Sequence, residues 1–86
     1  MQVYVFDTYV TAKHQHTMHF DVFLADNNPE QAIQAAKTWL ASIGETEAIV
    51  TSRECRYCHF EQASEAVSHA IRNQGYFIYK MEGCPQ

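Results

Sequence analysis

The chain has few of the residues that mark disordered, fibrous or membrane-spanning proteins. It contains only three glycines and two prolines in 86 residues, and 47% of its residues are hydrophobic. This composition excludes collagen-like, low-complexity and intrinsically disordered classes. No apolar run approaches the roughly 18 residues that a membrane helix needs. The length leaves room for one hydrophobic core, so residues 1–86 are predicted to form a single domain with residues 82–86 as a C-terminal tail.

Positive charge is also scarce. Six Lys and Arg residues stand against ten Asp and Glu residues, which gives a net charge of −4. Surfaces that bind nucleic-acid phosphates or anionic membranes need an excess of basic side chains. We therefore expect no nucleic-acid partner and no membrane partner, and a protein partner or a small ligand stays open.

The chain has three cysteines, Cys55, Cys58 and Cys84, and an odd number does not suit a closed disulfide framework. The N-terminal residues lack the basic region and the continuous apolar region of a signal peptide. Free thiols without an export signal are typical of a reducing compartment. The sequence therefore predicts a cytoplasmic protein.

Hydrophobic periodicity predicts two helices and about four strands. Asn28 as N-cap, Pro29 at the first helical position and Gly44 after the last apolar position delimit the first helix. Strands are predicted over 3–10, 17–25, 54–61 and 76–81, and a second helix over 64–74. The predicted fold is α+β, in the order β-β-α-β-α-β. It is a two-layer sandwich with both helices packed on one face of a mixed sheet.

The segment Cys55-Arg56-Tyr57-Cys58-His59 is the densest group of reactive side chains. Its CxxCH pattern is that of c-type haem attachment. That attachment usually takes place outside the cytoplasm, so covalent haem is disfavoured. Zinc is the cofactor that fits better, because two thiolates and an imidazole supply three tetrahedral ligands.

The leading hypothesis is a non-enzymatic binding module with a metal or ligand site formed by Cys55, Cys58, His59 and Cys84. His14, His16 and His19 are the other sources of a fourth ligand. The hypothesis requires the backbone to turn at Arg56-Tyr57, since residues three apart in an extended strand point to opposite faces.

Three other interpretations of this segment stay open. A thiol-dependent oxidoreductase or redox sensor would use Cys55 and Cys58, with Arg56 and His59 lowering a thiol pKa. A plain strand would bury the cysteines as small hydrophobic residues. A protein-interaction module would act through a sheet edge or an aromatic patch and leave the cysteines structural.

Two polar residues of the predicted hairpin form a further candidate pair. His19 and Asp7 would face each other across the hairpin as a base and its orienting carboxylate, if the register aligns them. The connecting loop contains no Asn-Gly or Asp-Gly pair that would fix that register.

Four stretches of the chain, Val5–Val10, Thr17–Asp21, Glu54–Ala63 and Gly75–Cys84, resemble a known family. It is a family of small bacterial proteins catalogued as domain of unknown function twenty twenty-four. The resemblance implies an α+β single domain in a bacterial cytoplasm, and it implies no activity, cofactor or catalytic residue. The matching stretches contain these polar or reactive candidates: Asp7, His19, Cys55, Cys58, His59, Glu61 and Cys84.

Overall fold

The computed structural model describes residues 1–85 and contains two helices and four strands. In chain order they are β1 (Gln2–Thr11), β2 (Thr17–Leu24), α1 (Pro29–Ser42), β3 (Cys55–Gln62), α2 (Glu65–Gln74) and β4 (Phe77–Lys80). The strands form one sheet in the spatial order β3-β1-β2-β4. The predicted α+β class and the predicted element order are confirmed.

The sheet is antiparallel throughout, so the expectation of a mixed sheet is wrong. β1 and β2 form the central hairpin, β3 pairs antiparallel with β1, and β4 pairs antiparallel with β2. Each outer strand lies next to a hairpin strand that runs in the opposite direction, β3 next to β1 and β4 next to β2. The connections through α1 and α2 therefore create no parallel pair.

The two helices pack on opposite faces of the sheet, which corrects the predicted two-layer arrangement with both helices on one face. Even-numbered residues of the hairpin, from Phe6 to Leu24, share a core with Ala36 and Leu40 of α1. Odd-numbered residues share a second core with α2, and its buried members are Val3, Val5, Phe23, Val67 and Ile71. Both faces of the hairpin carry apolar residues, so sequence periodicity could not tell which face each helix would cover. We call these faces the α1 face and the α2 face.

Both helices begin at the predicted capping residues. The Asn28 side chain accepts a hydrogen bond from the Gln31 amide at 3.1 Å, and Ser64 Oγ accepts one from the Val67 amide at 3.2 Å. α2 ends at Gly75, which has a φ of 92°. Within residues 1–85, neither helix has the length and apolar character needed to cross a membrane.

The predicted C-terminal tail is fixed to β2 over its first residues. The Met81 amide donates to the His19 carbonyl at 3.0 Å, and the His19 amide donates to the Glu82 carbonyl at 2.8 Å. Gly83 follows with a φ of 76°, and a Cβ atom there would clash with the Thr17 carbonyl oxygen. The tail thus fixes the backbone of His19. Gln86 lies outside the described residues.

Truncating a buried side chain on the α1 face is expected to lower the free energy of unfolding substantially. Leu40 is buried there at 1% exposure, and Leu40→Ala is expected to lower the free energy of unfolding by about 2–5 kcal/mol. Lys37→Ala, on the exposed side of the same helix, is the control and should change it by less than about 0.5 kcal/mol. Urea denaturation measures both. Equal losses would contradict the packing of α1 described above.

Candidate functional site

α2 covers only one end of the α2 face, and the other end is polar. Its apolar contacts are with Val3, Val5, Phe23 and Phe77. Beyond them the hairpin register sets Asp7 opposite Asp21, and Tyr9 opposite His19. These four side chains, two from each of the paired strands, therefore lie together on the part of this face that α2 leaves open.

Three of these side chains, Asp7, His19 and Asp21, converge and are called the Asp–His–Asp site. His19 Nε2 lies 3.2 Å from Asp7 Oδ1 and 4.0 Å from Asp21 Oδ1. One ligand atom from each of the three residues lies within 4.8 Å of the other two. The His19 ring is stacked on Tyr9 with centroids 4.0 Å apart and an interplanar angle of 11°. This stacking holds the imidazole with Nε2 toward the carboxylates.

Asp21 is the buried member of the site. Its residue exposure is 7%, whereas the side chains of His19 and Asp7 are 18% and 38% exposed. Among the described residues, Asp21 Oδ1 has no hydrogen-bond partner. A buried carboxylate oxygen without a partner is costly. A second carboxylate directly opposite on the adjacent strand adds like-charge repulsion.

The two carboxyl groups respond to this arrangement with opposite pKa shifts. Burial, and then the hydrogen bond and repulsion from Asp7, raise the pKa of Asp21 to about 7. The pKa of Asp7 is lowered, chiefly by the hydrogen bond that it accepts from the Asp21 carboxyl and then by His19. The pair therefore holds one proton between its two carboxyl groups below about pH 7.

The four residues of the predicted Cys/His site do not come together. Cys55 lies opposite Thr8 on the α1 face, where it is 3% exposed and accepts a hydrogen bond from Thr8 Oγ1 at 3.5 Å. The Cys84 thiol donates to the His19 carbonyl at 3.3 Å. Cys58 is exposed on β3.

A β-bulge explains where Cys58 and His59 point. His59 pairs with Val5 and Tyr57 pairs with Phe6, so Cys58 is an extra residue in β3. The two residues of a bulge lie on the same side of the sheet as the residue they oppose. Val5 faces α2, so Cys58 and His59 both lie on the α2 face. Within residues 1–85, the group with metal-ligating geometry is the Asp–His–Asp site rather than the cysteine segment.

Glu61, the remaining candidate, also lies on the α2 face. Its Oε1 is 2.7 Å from His59 Nε2. Glu61 and Asp21 line a cleft of about 520 Å³ beside the N-terminus of α2. The apolar walls of this cleft are formed by Phe23, Val67, Phe77 and Tyr79. The cleft runs from the floor of the Asp–His–Asp site toward the helix.

Sequence reasoning found two members of the Asp–His–Asp site and missed the third. The predicted contact between Asp7 and His19 is present. Strand alternation already puts His19 and Asp21 on one face. What alternation does not supply is the hairpin register that sets Asp7 opposite Asp21.

The raised pKa of Asp21 predicts a pH-dependent stability in the presence of a chelator. The folded state binds the Asp21 proton more tightly than the unfolded state, whose carboxyl has a pKa of about 3.9. The resulting stabilisation is complete below that value and is lost as the pH rises to about 7. Asp21→Asn is neutral at every pH, so it should remove this slope and be about 1–3 kcal/mol more stable than the unsubstituted chain at pH 8. Urea denaturation across this pH range measures it.

The control for this prediction is Asp26→Asn, at an exposed position just after β2. It should leave the slope between pH 4 and pH 7 unchanged. An equal slope in the unsubstituted chain and in Asp21→Asn would contradict the assignment.

Comparisons with known proteins place the chain in a family without assigning an activity. Residues 1–81 match the family described as "Domain of unknown function (DUF2024)". The chain is 59% identical to protein NE1680 from Nitrosomonas europaea, whose NMR structure superposes with a TM-score of 0.90 and covers 99% of this chain and 100% of that one. No curated protein matches the chain. The chain belongs to the DUF2024 family.

Proposed function

We propose that this protein is a small non-enzymatic binding module whose Asp–His–Asp site holds a divalent transition-metal ion, best matched by zinc. The observation that carries the proposal is the buried Asp21 carboxylate, whose Oδ1 has no partner among the described residues and which directly faces Asp7. The candidate zinc ligands of the cysteine segment are thereby replaced by a different set of side chains on the same sheet.

Charge supports a cation at this position. Two carboxylates directly opposite on neighbouring strands repel each other, and one of them is buried. A shared proton neutralises only one of the two charges. A dication neutralises both and supplies the missing partner for Asp21 Oδ1.

The spacing of the ligand atoms supports zinc. Tetrahedral ligands about 2.0–2.1 Å from zinc lie about 3.3 Å from one another. The separations of His19 Nε2 from Asp7 Oδ1 and Asp21 Oδ1 are 3.2 Å and 4.0 Å, so small side-chain rotations suffice to close the set. One nitrogen and two oxygen donors suit zinc or manganese better than magnesium or calcium. Three protein ligands leave a fourth position for water or a bound ligand.

The surroundings of His19 support a preformed site. Its ring stacks on Tyr9, and its backbone forms hydrogen bonds with the backbones of Met81 and Glu82. A ligand with a fixed ring and a fixed backbone loses little conformational freedom when it binds a metal. Metal binding displaces the proton shared by the carboxyl groups, so proton release should accompany it.

The redox alternative has less support. Cys55 and Cys58 lie on opposite faces of β3, and a disulfide requires Cβ atoms about 3.5–4.5 Å apart. Burial raises the pKa of Cys55. The pKa of Cys58 is also raised, first by desolvation and then by Asp7 and Asp21. A redox-active thiol needs the opposite shift. Three free cysteines fit a reducing compartment, and a cytoplasmic location is part of this proposal.

Zinc titration of the full chain tests the proposed site. Calorimetry should give one zinc per chain with release of protons, and Mg²⁺ should bind far more weakly. Asp21→Asn and His19→Gln should each weaken zinc binding by more than about 100-fold, because loss of a metal's outer-shell partner alone costs about 10–100-fold.

Two matched variants serve as controls. Asp26→Asn and His14→Gln make the same chemical changes at exposed positions and should bind zinc like the unsubstituted chain. If all four variants keep the same affinity, or if the chain binds no zinc, the proposed function is wrong.

Alkylation kinetics test the thiol alternative. Cys58 should react with iodoacetamide with a midpoint above the ordinary thiol value of about pH 8.5, because its pKa is raised. Cys55 should be protected in the folded chain, since it is 3% exposed. Mass spectrometry of digested samples reads the sites separately. A midpoint below pH 7 at Cys58 would instead favour the redox sensor.

A further inference from the structure

β3 leaves one edge of the sheet open. It pairs with β1 on one side and is the outermost strand on the other. Every residue of β3 except Cys55 is exposed. The exposed aromatic side chains Tyr57 and Phe60 are 43% and 56% accessible. An open edge of this length is a template for another strand.

The outward-pointing backbone groups of β3 can be identified. At one end the Ala63 amide donates to the Met1 carbonyl, and at the other the Glu54 carbonyl accepts from Tyr9. Backbone groups of an antiparallel strand point alternately to its two sides. Counting inward from Ala63 makes Phe60 point away from β1, and counting from Glu54 does the same for Tyr57.

The sequence of β3 is complementary to itself when it is read in the opposite direction about its centre. A two-fold axis between Cys58 and His59 sets Arg56 opposite Glu61, and Tyr57 opposite Phe60. Members of each pair lie on one face of the sheet, because the bulge reverses the alternation at its own position. Arg56 and Glu61 oppose Asp7 and Val3 on the α2 face.

We propose that two copies of this chain pair antiparallel along β3, with the two-fold axis between Cys58 and His59. The outward backbone groups of Tyr57 and Phe60 then bond to those of Phe60 and Tyr57 in the second copy. The four-stranded sheet doubles to eight strands. The interaction surface is independent of the metal site proposed above.

Charge complementarity identifies the occupant as a second copy. Among residues 1–85, no carboxylate lies within 4.0 Å of Arg56, and its Nε donates to the Arg53 carbonyl at 3.2 Å. The second copy supplies Glu61 to Arg56 at two symmetric places. It also covers the exposed rings of Tyr57 and Phe60 with each other on the α1 face.

The bulge favours this partner over an unrelated strand. A bulge on an edge strand usually discourages pairing, since the extra residue breaks the register of a regular partner. Two identical strands related by the two-fold axis carry the same extra residue at the same position. Their hydrogen-bonded positions therefore match on both sides of the bulge.

Charge reversal tests the pairing. Sedimentation velocity over a range of concentrations should show a reversible dimer of the full chain. Arg56→Glu should weaken dimerisation by about tenfold or more, because it sets like charges opposite each other. Combining it with Glu61→Arg should restore the dimer. Lys80→Glu, at an exposed position on the opposite edge strand β4, is the matched control and should dimerise normally.

Engineered disulfides test the register. In a Cys58→Ser background, Arg56→Cys with Glu61→Cys should give covalent dimers on mild oxidation, because this non-hydrogen-bonded pair brings Cβ atoms close. Arg56→Cys with Phe60→Cys should not, since those positions lie on opposite faces. A chain that stays monomeric at every concentration, or a double charge reversal as weak as the single one, would overturn the proposal. Zinc binding by a monomeric chain would leave the proposed function standing.

Discussion

The register of the β1–β2 hairpin is the constraint on which the rest of this structure depends. It sets Phe6 and Val22 together on the α1 face, and it sets Asp7 against Asp21 on the α2 face. If β2 were shifted by one residue relative to β1, its apolar side chains would move from the α1 face to the α2 face. The apolar alternation of β2 fixes the register through the core. The same register then imposes the carboxylate contact, whose cost the core offsets.

The two faces of the sheet differ in how completely a helix covers them. The α1 face carries the larger buried apolar cluster, which includes Phe6, Val10 and Leu24, and it is closed by a helix of 14 residues. The α2 face receives a helix of 10 residues, which covers only the end near Val3 and Val5. The uncovered end keeps the Asp–His–Asp site and the neighbouring cleft accessible. Burying the Asp21 carboxylate oxygen without a partner costs free energy. The larger apolar cluster on the α1 face offsets that cost.

Local sequence signals predicted the elements, and non-local pairing decided what they could not. Caps at Asn28 and Ser64 and the stop at Gly75 depend on residues a few positions apart, so the helices could be read from the chain. The antiparallel sheet and the opposite placement of the helices depend on contacts between distant segments. The contact of Asp7 with His19 could be proposed from the sequence. The position of Asp21 opposite Asp7 could not, because it depends on the hairpin register.

The CxxCH pattern shows why spacing alone is weak evidence for a metal site. In β3 the first cysteine is buried under the α1 core beside Thr8, and the second is the extra residue of a bulge. The bulge turns Cys58 and His59 to the same face, away from Cys55. Chelation by all three would require the strand to unpair from β1 and forfeit its backbone hydrogen bonds. The side chains that do converge come from β1 and β2, two strands that are paired directly with each other. The metal-ligating side chains that converge in this fold are therefore cross-strand neighbours rather than residues close in sequence.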